Sequence, residues 1–163
     1  MRLIVLLPLL ILARGDASNA QGIDSNACAQ SPMVRDVAPR DPGADPVGPA
    51  NWYINASRTI WAGPVPDGGW PTGGTLYSGG RTVKGQKTYW VRPKGTELVI
   101  TGRRLDGDAP AVEAHVPCCY RSGFQIVGLY FPTEGCWEVT AKAGTSALQF
   151  VTLVNRESVG GPR

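Results

Sequence analysis

Residues 124–154, FQIVGLYFPTEGCWEVTAKAGTSALQFVTLV, carry the clearest structural signal in the chain. They read as strand, corner, strand, turn, strand. Residues 124–131 are rich in aromatic and β-branched side chains. Pro132 ends the run, because proline has no N–H to give a sheet ladder. Pro132, Thr133, Glu134 and Gly135 supply turn chemistry: proline presets φ, and glycine permits a positive φ. The chain then alternates. Trp137, Val139 and Ala141 fall on one side, and Glu138, Thr140 and Lys142 on the other. That is the period of a half-buried antiparallel strand. After a turn at 143–145, residues 148–154 are apolar on both faces, which predicts a central or covered strand.

The corner at 128–141, GLYFPTEGCWEVTA, resembles the late-strand corner of immunoglobulin-like domains in bacterial secreted proteins. More narrowly, it resembles a group of small bacterial secreted or lipoprotein-like chains of unknown function. The resemblance covers residues 85–154 and is specific at the corner. It implies an immunoglobulin-like antiparallel β-sandwich and a place outside the cytoplasm. It implies no activity. The Cys…Trp…Cys arrangement of antibody domains is not reproduced, since Trp137 directly follows Cys136.

Working outward, 163 residues predict one domain. The net charge of +3 is spread along the chain without a basic cluster, so no nucleic-acid footprint is visible. The 21 glycines and 14 prolines predict many turns between short strands. Residues 1–20 read as a signal peptide. Arg2 is the positive start, 3–13 is an apolar run too short to span a bilayer, and Ser18, Asn19 and Ala20 are the small residues before cleavage. No transmembrane span remains after cleavage. The alternatives are an uncleaved anchor, or lipidation at Cys28, which lies well past the apolar run. Residues 21–50 hold prolines at 32, 39, 42, 46 and 49 and show no period, so they read as an extended or disordered linker.

The domain itself is expected over 51–155, with a flexible tail at 156–163. Besides the three strands of the opening stretch, short strands are expected at 51–54, 59–62, 75–77, 87–92, 97–101 (broken by Gly102) and 112–116. Asn55, Ala56 and Ser57 form a turn between the first two. The loop 63–74 surrounds Trp70, read as a latch over the sandwich edge or as a ligand platform. The fold expected is therefore all-β, an immunoglobulin-like antiparallel sandwich with a disordered N-terminal segment.

Four cysteines, Cys28, Cys118, Cys119 and Cys136, favour disulfides in an exported chain. Neighbouring side chains on an extended backbone point to opposite faces. The preferred pairing therefore joins one of Cys118 and Cys119 to Cys136 and the other to Cys28. The competitor is Cys28–Cys136, with the adjacent pair bonded to each other or free. His115, Cys118, Cys119 and Cys136 form an alternative metal or thiol-redox set, because nitrogen and sulfur donors suit zinc or copper. His115 is the only histidine, no serine sits in a nucleophile elbow, and Glu97, Glu113, Glu134 and Glu138 read as solvent-facing residues. No catalytic residues and no cofactor are assigned. The expectation is an exported, non-catalytic binding or structural module, secreted or periplasmic. Its partner would be a cell-envelope protein or glycan, met through the loop aromatics Trp61, Trp70, Tyr77 and Trp90.

Overall fold

The structure is a computed structural model that describes residues 28–39, 48–78, 80–117 and 121–156. These residues form strands and no helix. In chain order the strands are β1 (Val34–Asp36), β2 (Ala50–Ile54), β3 (Trp61–Gly63), β4 (Trp70–Pro71), β5 (Thr75–Ser78), β6 (Arg81–Lys84), β7 (Gln86–Val91), β8 (Val99–Arg104), β9 (Glu113–His115), β10 (Phe124–Tyr130), β11 (Gly135–Ala143) and β12 (Ser146–Asn155). One sheet has the order β1-β2-β3-β7-β10-β9, a second β4-β12-β11-β8, and β5-β6 is a separate hairpin. The pairings are antiparallel except that of β4 with β12.

The two larger sheets meet across one core, which makes the molecule sandwich-like. The alternation read in β11 holds: Trp137, Val139 and Ala141 are buried, while Lys142 is exposed. Their partners across the ladder are Thr152, Phe150 and Leu148, so β12 turns the same face inward. β12 is central in its sheet, as its two apolar faces predict. Tyr53 on β2 stacks on Phe150 with ring centroids 4.1 Å apart, joining one sheet to the other. Trp70 packs against Tyr53, Phe131 and Phe150, and Trp137 meets Phe131 edge-on. Trp70 is thus a latch in the core.

At the corner, the Trp137 indole N–H donates to the Thr133 carbonyl at 3.1 Å. Gly135 takes a φ of 139°, and a Cβ there would lie 2.6 Å from Arg104 Nε. Only glycine meets both demands. The Arg104–Asp106 ion pair, 2.7 Å long, closes over this corner. Burial by itself would raise the Asp106 carboxyl. The Arg104 hydrogen bond and charge, with the Cys136 backbone N–H, outweigh it and hold the group below its ordinary value.

Three expectations need correction. β8 does not break at Gly102 but runs on to Arg104. A Cβ at 102 would lie 2.6 Å from Val112 Cγ2, so this glycine makes room for a neighbour instead of ending a strand. Between the strands expected at 75–77 and 87–92, a further strand that was not expected, β6, pairs with β5. Part of the expected linker is also folded. Ser31 exchanges hydrogen bonds with the Val151 backbone on β12, β1 pairs with β2, and Ala38 is buried. Residues 28–39 therefore cross from one sheet to the other. The expected signal peptide, its expected cleavage point and most of the expected tail lie outside the described residues. Among those described, no helix is long and apolar enough to cross a membrane.

Candidate functional site

The β2–β3 turn is built by Asn55. Its Oδ1 accepts the backbone N–H groups of Thr59 (2.8 Å) and Ile60 (2.9 Å), and its Nδ2 donates to the Ala147 carbonyl at 3.1 Å. This side chain replaces backbone partners that the tight turn lacks. The turn puts Arg58 at a φ of 54°. The Arg58 guanidinium then lies 4.7 Å from the centre of the Trp61 ring, while the Trp61 indole N–H donates back to the Arg58 carbonyl at 2.9 Å. Arg58 Nη2 also meets Asp36 Oδ2 at 2.5 Å. The Val37 backbone N–H first, and Arg58 second, hold the Asp36 carboxyl below its ordinary value.

Beside Arg58, the end of β7 and the start of β10 are tied by the Arg92 N–H donating to the Gly123 carbonyl at 2.8 Å. A Cβ on Gly123 would lie 2.8 Å from the Arg92 carbonyl oxygen, so the two chain segments approach as closely as a glycine allows. Between these parts opens a cleft of about 330 Å³ lined by Pro39, Val91, Pro93, Phe124, Thr59, Gly123 and the three cationic residues Arg58, Arg92 and Lys94. None of these lining residues is acidic. The walls are mostly apolar. Phe124 stacks on Tyr89 with centroids 5.5 Å apart, and the Lys87 ammonium lies 5.3 Å from the Tyr89 ring. The Arg92 guanidinium turns inward instead, where Nε donates to Gln125 Oε1 at 2.7 Å.

No family model, no curated protein and no solved structure matches the chain.

The four aromatics expected to face a ligand part company. Trp61 and Trp70 are 2 % exposed and Trp90 is fully buried. Trp61 lies under Arg58 and against Trp52, Trp70 fills the core, and the Trp90 indole N–H donates to Thr88 Oγ1 at 2.9 Å. These three do not offer a free face, which corrects that expectation. Tyr77, on the β5–β6 hairpin, is 75 % exposed.

Cys28 and Cys136 form a disulfide across a sequence separation of 108. The preferred pairing, which gave Cys136 to Cys118 or Cys119, is therefore replaced by its competitor. The reason is the packing of the N-terminal segment: residues 28–31 lie along β12, where Cys28, Cys136 and Leu153 form a small buried cluster. Cys118 and Cys119 lie outside the described residues. The metal or redox set thereby loses Cys136 as a free thiolate. His115 is half-buried on β9 opposite Gly128 and lines a second cleft with Arg81, Lys84 and Glu113. Among the described residues, no three His, Cys, Asp or Glu side chains come together as a metal site. Glu138 pairs with Arg103 at 2.8 Å, Glu134 pairs with Arg156 at 2.9 Å, and Glu97 and Glu113 are exposed.

Sequence reasoning missed Phe124, Arg58 and Lys94. The period of β10 held the signal for Phe124. Gln125, Val127 and Leu129 face the core, so Phe124 must face outward. Nothing local marks Arg58 or Lys94, which are brought together by strand order.

Proposed function

We propose that this chain is an exported, non-catalytic β-sandwich module of immunoglobulin-like character, a binding or structural protein of the cell envelope. The observation that carries the reading is the Cys28–Cys136 bond. Disulfides between distant segments persist in oxidising compartments and are rare in the cytosol. The resemblance of the 128–141 corner to bacterial secreted domains supports the same placement, secreted or periplasmic. A cell-envelope protein or a glycan is the partner class in keeping with it.

Alkylation of the exported protein, unfolded but not reduced, followed by intact mass and peptide mapping, tests this reading. The expected result is a chain beginning at Gln21, with Cys28 and Cys136 unmodified and linked. Free, alkylated Cys28 and Cys136 would overturn it.

A further inference from the structure

We infer that the cleft between Arg58, Lys94 and Phe124 binds a small organic anion, a molecule with an apolar body and a single carboxylate or phosphate head. The inference rests on the reading of the domain as a binding module. Three features of the cleft carry it. Among the described residues, its charged lining residues are all cationic. Its apolar walls, Val91, Phe124, Pro39 and Pro93, suit a flat or aliphatic body rather than a sugar rich in hydroxyls. Its volume of about 330 Å³ is at the small end for ligand pockets, which excludes a folded macromolecule from the interior.

The Arg58 guanidinium is already held in place, between the Trp61 ring and the Asp36 carboxylate. Asp36 shows the chemistry that this group accepts: an oxygen of a carboxylate, at hydrogen-bond distance, on the flank of the cleft. A guanidinium has five N–H donors in a planar fork. It can therefore hold a ligand acid beside Asp36 or in its place. Lys94, whose side chain is exposed, is a second cationic residue of the lining.

The test is amide chemical-shift mapping on the isotopically labelled, oxidised protein, with phenyl phosphate and benzoate as probes and benzyl alcohol and benzylamine as controls. The two anions should give saturable shifts at Thr59, Val91, Lys94 and Phe124. Benzyl alcohol should bind about tenfold more weakly, and Lys94→Gln or Arg58→Gln should weaken the anions by about tenfold, the scale of one charge-assisted hydrogen bond. Lys94 is exposed, so its variant keeps the test valid if Arg58→Gln disturbs the turn. Equal binding of benzyl alcohol or benzylamine, shifts that do not saturate, or affinities unchanged in both variants would overturn the inference. Saturable shifts at another surface would overturn this site and leave the binding module standing. Free Cys28 and Cys136 would remove the exported module, whatever the probes do.

Discussion

Trp137 and Tyr53 are buried in the same core, yet their truncations should have opposite signs. Trp137 is fully buried, touches Phe131, and bonds its indole N–H to the corner. Trp137→Ala should cost about 3–5 kcal/mol in chemical denaturation. Against a typical domain stability of roughly 5–15 kcal/mol, that is enough to threaten folding. The Tyr53 hydroxyl is buried and, among the described residues, has no hydrogen-bond partner of normal geometry. Burial pushes its phenol above the ordinary value, only partly offset by Thr152. Tyr53→Phe keeps the stacked ring and removes an unsatisfied group, so the melting temperature should stay level or rise, by up to about 1 kcal/mol of stability. The weight of Trp137 was legible from its alternation with Val139 and Ala141. The orphan hydroxyl was not, because the sequence shows that a tyrosine is present but not what its oxygen meets. A third residue contributes to acid sensitivity. The Asp106 carboxyl is depressed in the folded state, so its contribution is present above the carboxyl's ordinary value and is lost as pH falls through the lower, folded one. Asp106→Asn should flatten the acid limb of a stability–pH curve and leave the neutral region nearly parallel to that of the parent.

At the scale of elements, the strands with a clear period were readable, and those fixed by distant partners were not. The three closing strands, β10 to β12, lie where their patterns place them. β6, with the sequence Arg81-Thr82-Val83-Lys84, has little apolar content and is a strand because β5 pairs with it. β1 sits among prolines and exposed side chains. It is held by pairing with β2, by Ala38 against Trp52 and Trp61, and by the Trp52 indole N–H donating to the Asp36 carbonyl at 3.1 Å. The disulfide anchors the start of this segment, so replacing both Cys28 and Cys136 by Ala should release it. The expected loss is about 2–5 kcal/mol of stability. Hydrogen exchange should quicken first at Val34–Asp36 and at Trp52, whose cover is the same segment. Uniform slowing or no change at β1 would contradict this account.

For the whole molecule, the all-β sandwich character followed from strand period and turn residues, because a side chain's face depends on its immediate neighbours. The cleft did not follow. Arg58, Lys94 and Phe124 come from the β2–β3 turn, the end of β7 and the start of β10, and only strand order makes them adjacent. The disulfide was legible as one of two pairings, and its partners were settled by how the N-terminal segment crosses the sandwich. That crossing has a mechanical side. Tension applied from before Cys28 and from beyond Arg156 enters the domain at Cys28 and passes through the bond to Cys136. β1 to β10 lie inside the covalent loop so formed, off the covalent path of the pull, which runs through β11 and β12. In optical tweezers, the oxidised chain should lengthen far less on rupture than the reduced one. With a bridge spanning 108 positions, the difference should be on the order of 370 Å. Under load the protein would then behave as a short spring with a closed body hung beside it.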